Sequence, residues 1–151
     1  MIEAKGQAIT PMISVLLVDD HPLVRALLRQ VLEGFKDIVI VAEAGDGEEA
    51  VNHAIRLQPT VALIDCHLPR LSGVEATKLI KLKSRYTTVI GLTAGELDGS
   101  ELEMVSAGAS AVVNKADVFQ QLYPLILKAV PPQIHNAVTP LDSMIKARQL
   151  S

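Results

Sequence analysis

Five polar positions, each closing an apolar run, have the side-chain types needed for phosphoryl chemistry. Asp19 and Asp20 follow Val15-Leu-Leu-Val18, Asp65 follows Val61-Ala-Leu-Ile64, Thr93 follows Val89-Ile-Gly-Leu92, and Lys115 follows Ala111-Val-Val-Asn114. Three carboxylates drawn together repel one another and take up protons unless a cation lies among them. Oxygen ligands with positions left open to water suit Mg²⁺. A carboxylate beside such an ion can attack a phosphoryl donor to give an aspartyl phosphate, provided an ammonium and a hydroxyl share the charge on the transferring oxygens. Lys115 and Thr93 supply those two groups. Singly, the residues have blander readings: Asp19 and Asp20 would cap a helix starting near Pro22, and Asp65 would be a turn residue before Pro69. All five together ask for one site.

Such a site requires the apolar runs to be neighbouring strands that end at the same edge. Ile13 to Val18 is followed by a helical period over Pro22 to Glu33, with Leu23, Leu27 and Val31 expected on one face. The pattern repeats: Ile38 to Ala42 then Glu48 to Leu57, Val61 to Ile64 then Val74 to Lys83, Thr88 to Leu92 then Ser100 to Ala107, and Ala111 to Val113 then Val118 to Ala129. The runs are apolar at successive positions, as in strands covered on both faces, so the expected fold is an α/β doubly wound parallel sheet with right-handed crossovers. In such sheets ligands bind at the carboxyl ends of the strands, where all five residues fall. Pro131-Pro132 should end the last helix, dividing the chain into a tail (1–12), a domain (13–130), and a linker with a short helix (131–151), whose Leu141, Met144 and Ile145 form a stripe.

Composition narrows the class. The 151 residues are 49% apolar, enough for one core, and the net charge of −3 offers no general attraction to nucleic acid or anionic membrane. One cysteine excludes an intrachain disulfide framework, aromatics are 3% with no Trp, and no segment has the apolar length of a membrane span. A cytoplasmic protein without direct nucleic-acid or membrane contact is expected. Gly45-Asp-Gly-Glu-Glu-Ala50 matches a dinucleotide-binding pattern, with Asp65 twenty residues on. However, Asp46, Glu48 and Glu49 put negative charge where a pyrophosphate would approach, and they are expected to serve the helix dipole instead. Cys66 reads as a packed small residue, and His21, His53 and His135 lack metal-ligand spacing.

The contexts Leu17-Val-Asp-Asp-His-Pro22, Asp65-Cys-His-Leu-Pro-Arg-Leu-Ser-Gly73, Gly91-Leu-Thr-Ala94 and Ala107-Gly-Ala-Ser-Ala-Val-Val-Asn-Lys115 closely resemble the receiver domains of two-component response regulators, from about Ser14 to Ala129. The resemblance implies a flavodoxin-like (βα)5 fold with strand order 2-1-3-4-5. It implies that Asp19, Asp20, Asp65 and the His67 backbone carbonyl hold Mg²⁺, that Asp65 is phosphorylated, and that Thr93 and Lys115 contact the phosphoryl oxygens. A histidine kinase or histidine phosphotransfer protein would be the donor. An output protein or a second copy would be met through the face from Ser100 to Val130. No enzymatic activity is expected beyond the domain's own phosphotransfer and autodephosphorylation. Asp-Asp-His-Pro, and Ala116 where the wider family has a proline, look most like regulators with a LuxR-type helix-turn-helix output, so the receiver part of a truncated transcriptional regulator is the alternative. An aspartate-nucleophile phosphatase is disfavoured, because it needs a second Asp where His21 stands. The family usually has Tyr or Phe at the position of Val112, so switching is expected through the loop after Thr93 and the fourth helix. Gly95 and His67 resemble the positions that influence how fast water removes the phosphoryl group, and they pull in opposite directions.

Overall fold

The computed structural model describes residues 12–129. The expected N-terminal tail up to residue 11, Val130, the linker, His135 and the expected C-terminal helix lie outside the described residues. Alternating strands and helices run β1 (Ile13–Val18), α1 (Pro22–Glu33), β2 (Ile38–Ala44), α2 (Gly47–Leu57), β3 (Val61–Asp65), α3 (Gly73–Lys83), β4 (Thr88–Thr93), α4 (Ser100–Ala107), β5 (Ala111–Asn114), a 3-10 turn (Lys115–Asp117) and α5 (Val118–Ala129). The five strands form one parallel sheet in the order β2-β1-β3-β4-β5, the flavodoxin-like order expected.

Alternation along each strand divides the core between the two faces. Val15, Leu17, Val61, Leu63, Ile90 and Leu92 meet Leu28 and Leu32 of α1 and Leu122 and Ile126 of α5. Leu16, Val18, Ala62, Ile64 and Val89 meet α2, α3 and α4 through Ala50, Ala54, Ala76, Ile80 and Met104. β1, β3 and β4 are therefore apolar along their central residues, whereas the edge strand β2 exposes Val39 and Val41.

One expected face is corrected. Leu23 and Leu27 of α1 point to solvent, and the helix buries Leu28 and Leu32 with Val24 packed beside them. Both stripes satisfy a 3.6-residue period. The sheet selects the one containing Leu32, leaving Leu23 87% exposed.

Local signals fix where the helices begin. Ser72 caps α3 in a reciprocal box with Glu75. At α2, Asp46 accepts from the Glu49 amide at 2.8 Å, and Glu49 accepts from the Gly45 amide at 2.8 Å. The acids of the dinucleotide-like motif thus serve the helix start, as expected. Gly73 is required by close approach: a Cβ there would run into the Asp65 carbonyl oxygen and into Cys66. On the opposite side, Tyr123 of α5 stacks on Phe35, with ring centroids 3.9 Å apart, and donates its hydroxyl to Asp37 at 2.6 Å.

Candidate functional site

At the carboxyl edge of the sheet, parallel pairing brings the ends of β1, β3 and β4 side by side. Asp19 leaves β1 fully buried and its amide donates to the Ala44 carbonyl of β2 at 3.1 Å. The Arg25 guanidinium donates to the Asp19 carbonyl at 2.6 Å and to Glu43 at 3.0 Å, and Arg29 also pairs with Glu43, so α1 pins the strand end that carries the acid. The Asp19 side chain accepts the His21 amide at 2.9 Å. Asp65, 4% exposed, closes β3 and accepts the His67 amide at 3.0 Å.

Ligand atoms of Asp19, Asp20, His21 and Asp65 all lie within 4.8 Å of one another. Asp20 Oδ1 is buried and accepts no hydrogen bond; the His21 ring nitrogen stands 3.0 Å from it. Asp19 Oδ2 is likewise buried without a hydrogen bond and meets the Lys115 ammonium as an ion pair at 2.7 Å. Buried carboxylate oxygens with open valence, converging on one point, fit a hard divalent cation such as Mg²⁺.

Lys115 reaches this cluster from the turn after β5, where Asn114 caps the turn by accepting the Ala116 amide at 2.9 Å. Its ammonium donates to Asp65 Oδ2 at 2.8 Å, so one cation spans Asp19 and Asp65. Burial works against that charge, but the two carboxylates outweigh it and hold Lys115 above the ordinary lysine range. Burial also dominates at Asp65 and pushes its carboxyl up, against the pull of Lys115 and the His67 amide and with a further push from Asp19.

Thr93 ends β4 one residue beyond the partner of Asp65, but its hydroxyl is turned to the following loop. It donates to Glu96 Oε1 at 3.0 Å and accepts the Gly95 amide at 3.2 Å, while the Ala94 amide also donates to Glu96 Oε1, at 3.2 Å. The His67 ring stands 3.1 Å from Asp98 Oδ2 and 3.8 Å from Glu96 Oε1, and Asp98 in turn accepts the Ser100 amide at the start of α4. The structure therefore gathers Asp19, Asp20, Asp65 and Lys115, and commits the Thr93 hydroxyl and the His67 ring to the β4–α4 loop.

Sequence reasoning missed Arg25, Glu96, Asp98 and the nearness of His21. Their roles depend on loop paths that no periodicity reports; the adjacency of His21 to the acidic pair was the one available signal. Cys66 is packed as expected, and burial and the neighbouring Asp65 push its thiol up to about 11, away from thiolate chemistry. Val112, at the position expected to be aromatic, packs against the face that holds Met104.

The response regulator receiver domain family model matches residues 15–126. The chain is 41% identical over 106 residues to a protein-glutamate methylesterase/protein-glutamine glutaminase of Nitrosospira multiformis, covering 68% of this chain and 29% of that one. Its fold superimposes on a LuxR-family two-component response regulator from Aurantimonas with a TM-score of 0.70, 27% identity, and coverage of 87% of this chain and 99% of the other. The receiver domain of sensor histidine kinase PA1611 from Pseudomonas aeruginosa, which carries a magnesium ion in its active-site cleft, gives a TM-score of 0.71 at 28% identity, covering 78% and 97%. The chain spans about half the length, or less, of several curated relatives it matches.

Proposed function

This chain belongs to the response regulator receiver domain family, and from that membership and the geometry at the sheet edge we propose that Asp65 is its phosphoacceptor. The observation that carries the proposal is the buried Asp65 carboxylate held between the Lys115 ammonium at 2.8 Å and the His67 amide at 3.0 Å, beside the acids Asp19 and Asp20. In the step, an Asp65 carboxylate oxygen bonds to phosphorus. The bond from phosphorus to the donor imidazole nitrogen of a histidine kinase or phosphotransfer protein breaks, and that nitrogen keeps the electron pair. Lys115 follows the negative charge from the carboxylate to a phosphoryl oxygen, and the Thr93 hydroxyl donates to another.

Asp19, Asp20 and Asp65, with the His67 carbonyl, would hold Mg²⁺, and the magnesium-bearing receiver of PA1611 supports that choice. When bound, the ion neutralises charge on the transferring oxygens. Phosphorylation adds charge at the sheet edge and shifts the domain between two surface conformations. The receiving surface for an output protein or a second copy is the α4–β5–α5 side, where Leu97, Leu102, Val105 and Phe119 are exposed.

Incubation of the full chain with Mg²⁺ and acetyl phosphate, followed by intact mass measurement, tests the proposal. A phosphoryl-sized increase is expected on the parent, abolished by chelator and by Asp65→Asn; an undiminished adduct on the variant would overturn the assignment. A second reading, in which this receiver serves a LuxR-type helix-turn-helix output, is favoured by the Aurantimonas neighbour and by relatives of whose length the match covers about half. The reading frame beyond Ser151 tests it. Family membership leaves the phosphatase alternative without support.

A further inference from the structure

A threonine hydroxyl has one proton to donate, so Thr93 can serve one acceptor at a time. That proton is given to Glu96 Oε1 at 3.0 Å, and the Ala94 amide converges on the same oxygen at 3.2 Å. One hydroxyl and one backbone N–H aimed at a single anionic oxygen form an oxyanion site at the end of β4, next to the end of β3 that carries Asp65. The occupant of that site is a carboxylate of the chain itself. Glu96 is 42% exposed and Thr93 is 6% exposed, so the donor is fixed in the fold while the acceptor sits on the outer loop.

We propose that Glu96 is an internal stand-in for the phosphoryl group, holding Thr93 and Ala94 in the resting state and giving way when Asp65 is phosphorylated. This rests on Asp65 being the phosphoacceptor. A phosphoryl oxygen and the Glu96 carboxylate compete for the same two donors. Only molecules in which Glu96 has let go present a free hydroxyl to the incoming group, so the resting contact lowers the competent fraction and the apparent rate in proportion.

Release of Glu96 also frees more than a side chain. The ties of the loop from Ala94 to Gly99 include Glu96 to Thr93, Asp98 to the His67 ring at 3.1 Å, and Asp98 to the Ser100 amide at 3.0 Å. Asp98 thereby joins the first turn of α4 to the loop after β3. Losing the Glu96 tie loosens the segment that carries Leu97, which is fully exposed, and leads into α4. This gives the loop after Thr93 a route to move with no aromatic side chain at position 112.

The test is the initial rate of phosphorylation by acetyl phosphate with Mg²⁺, read by intact mass, for the parent, Glu96→Ala, Thr93→Ala and the double variant. Glu96→Ala is expected to react about three- to tenfold faster than the parent, the range of one charge-assisted hydrogen bond at a half-exposed site. In the Thr93→Ala background the same substitution is expected to gain less, because only the Ala94 amide is then contested. Glu96→Gln, which keeps an acceptor oxygen but no charge, is expected to gain less than Glu96→Ala. A rate for Glu96→Ala equal to or below that of the parent overturns the inference. So does an equal gain in the Thr93→Ala background, which would assign the effect to simple repulsion of the anionic donor. If the parent itself takes up no phosphoryl group, the reading of Asp65 falls, and this one with it; a parent that reacts beside an unchanged Glu96→Ala removes this one alone.

Discussion

Removing the Lys115 ammonium should leave Asp19 and Asp65 facing each other with no cation, and the cost can be bounded from the site. Both carboxylates are at least 95% buried as side chains, and Lys115 spans them at 2.7 and 2.8 Å. Breaking one partner out of a buried pair costs about 3–5 kcal/mol when nothing relaxes. Here the chain can respond by protonating Asp65, whose carboxyl is already held above the ordinary value of 3.8. Protonating an ordinary carboxyl at pH 7 costs about 4 kcal/mol, from roughly three pH units at 1.36 kcal/mol each, so Lys115→Met should lose about 2–4 kcal/mol in chelator. For a domain of this size that lowers Tm by roughly 6–15 °C. At pH 5 protonation is cheaper by about 2.7 kcal/mol, and the loss should shrink to about 1 kcal/mol. Urea titration and thermal melts followed by circular dichroism, at both pH values and with and without Mg²⁺, give the readout, with Mg²⁺ restoring the variant. Equal stability of variant and parent at pH 7 in chelator, or a loss that stays the same at pH 5, would refute the reasoning.

Three further outcomes are expected. Because folding raises the Asp65 carboxyl, its ionised form costs stability above the folded pKa, so Asp65→Asn should be more stable than the parent at pH 7 without metal, with a higher urea midpoint. Gly73→Ala should lose about 2–4 kcal/mol, because its Cβ has no room beside the Asp65 carbonyl and Cys66, and the lowered Tm should persist when Mg²⁺ is added. Tyr123 is pushed up to about 12, first by its hydrogen bond to Asp37 and then by burial, so the bond's contribution is complete below pH 10 and is lost as pH rises through 12. Tyr123→Phe should therefore cost about 1–2 kcal/mol at pH 7, and the gap between parent and variant should close between pH 10 and 12 in the same denaturation assay.

The strands and most helix ends were legible because the sheet is covered on both faces, which writes runs such as Val15-Leu-Leu-Val18 into the sequence, while Gly and Pro mark the turns. The site residues were legible for a related reason: a polar residue that closes an apolar strand has one place to be, the rim of the sheet. What sequence did not reveal is decided by contacts between distant segments. Leu23 and Leu27 share a helical stripe with Val31 as plausibly as Val24, Leu28 and Leu32 do with one another, and only docking on β1 and α5 chooses between them. Arg25 and Glu96 are ordinary charged residues by type. Their work, holding the Asp19 carbonyl and the Thr93 hydroxyl, appears only once β2 is paired beside β1 and the β4–α4 loop has taken its path.

The most direct test of the account locates the modified residue. After reaction with acetyl phosphate and Mg²⁺, borohydride reduction converts an aspartyl phosphate to homoserine, which peptide mass mapping assigns to a position. Homoserine at position 65 and nowhere else is the predicted result; homoserine at position 19 or 20 with Asp65 intact would contradict it.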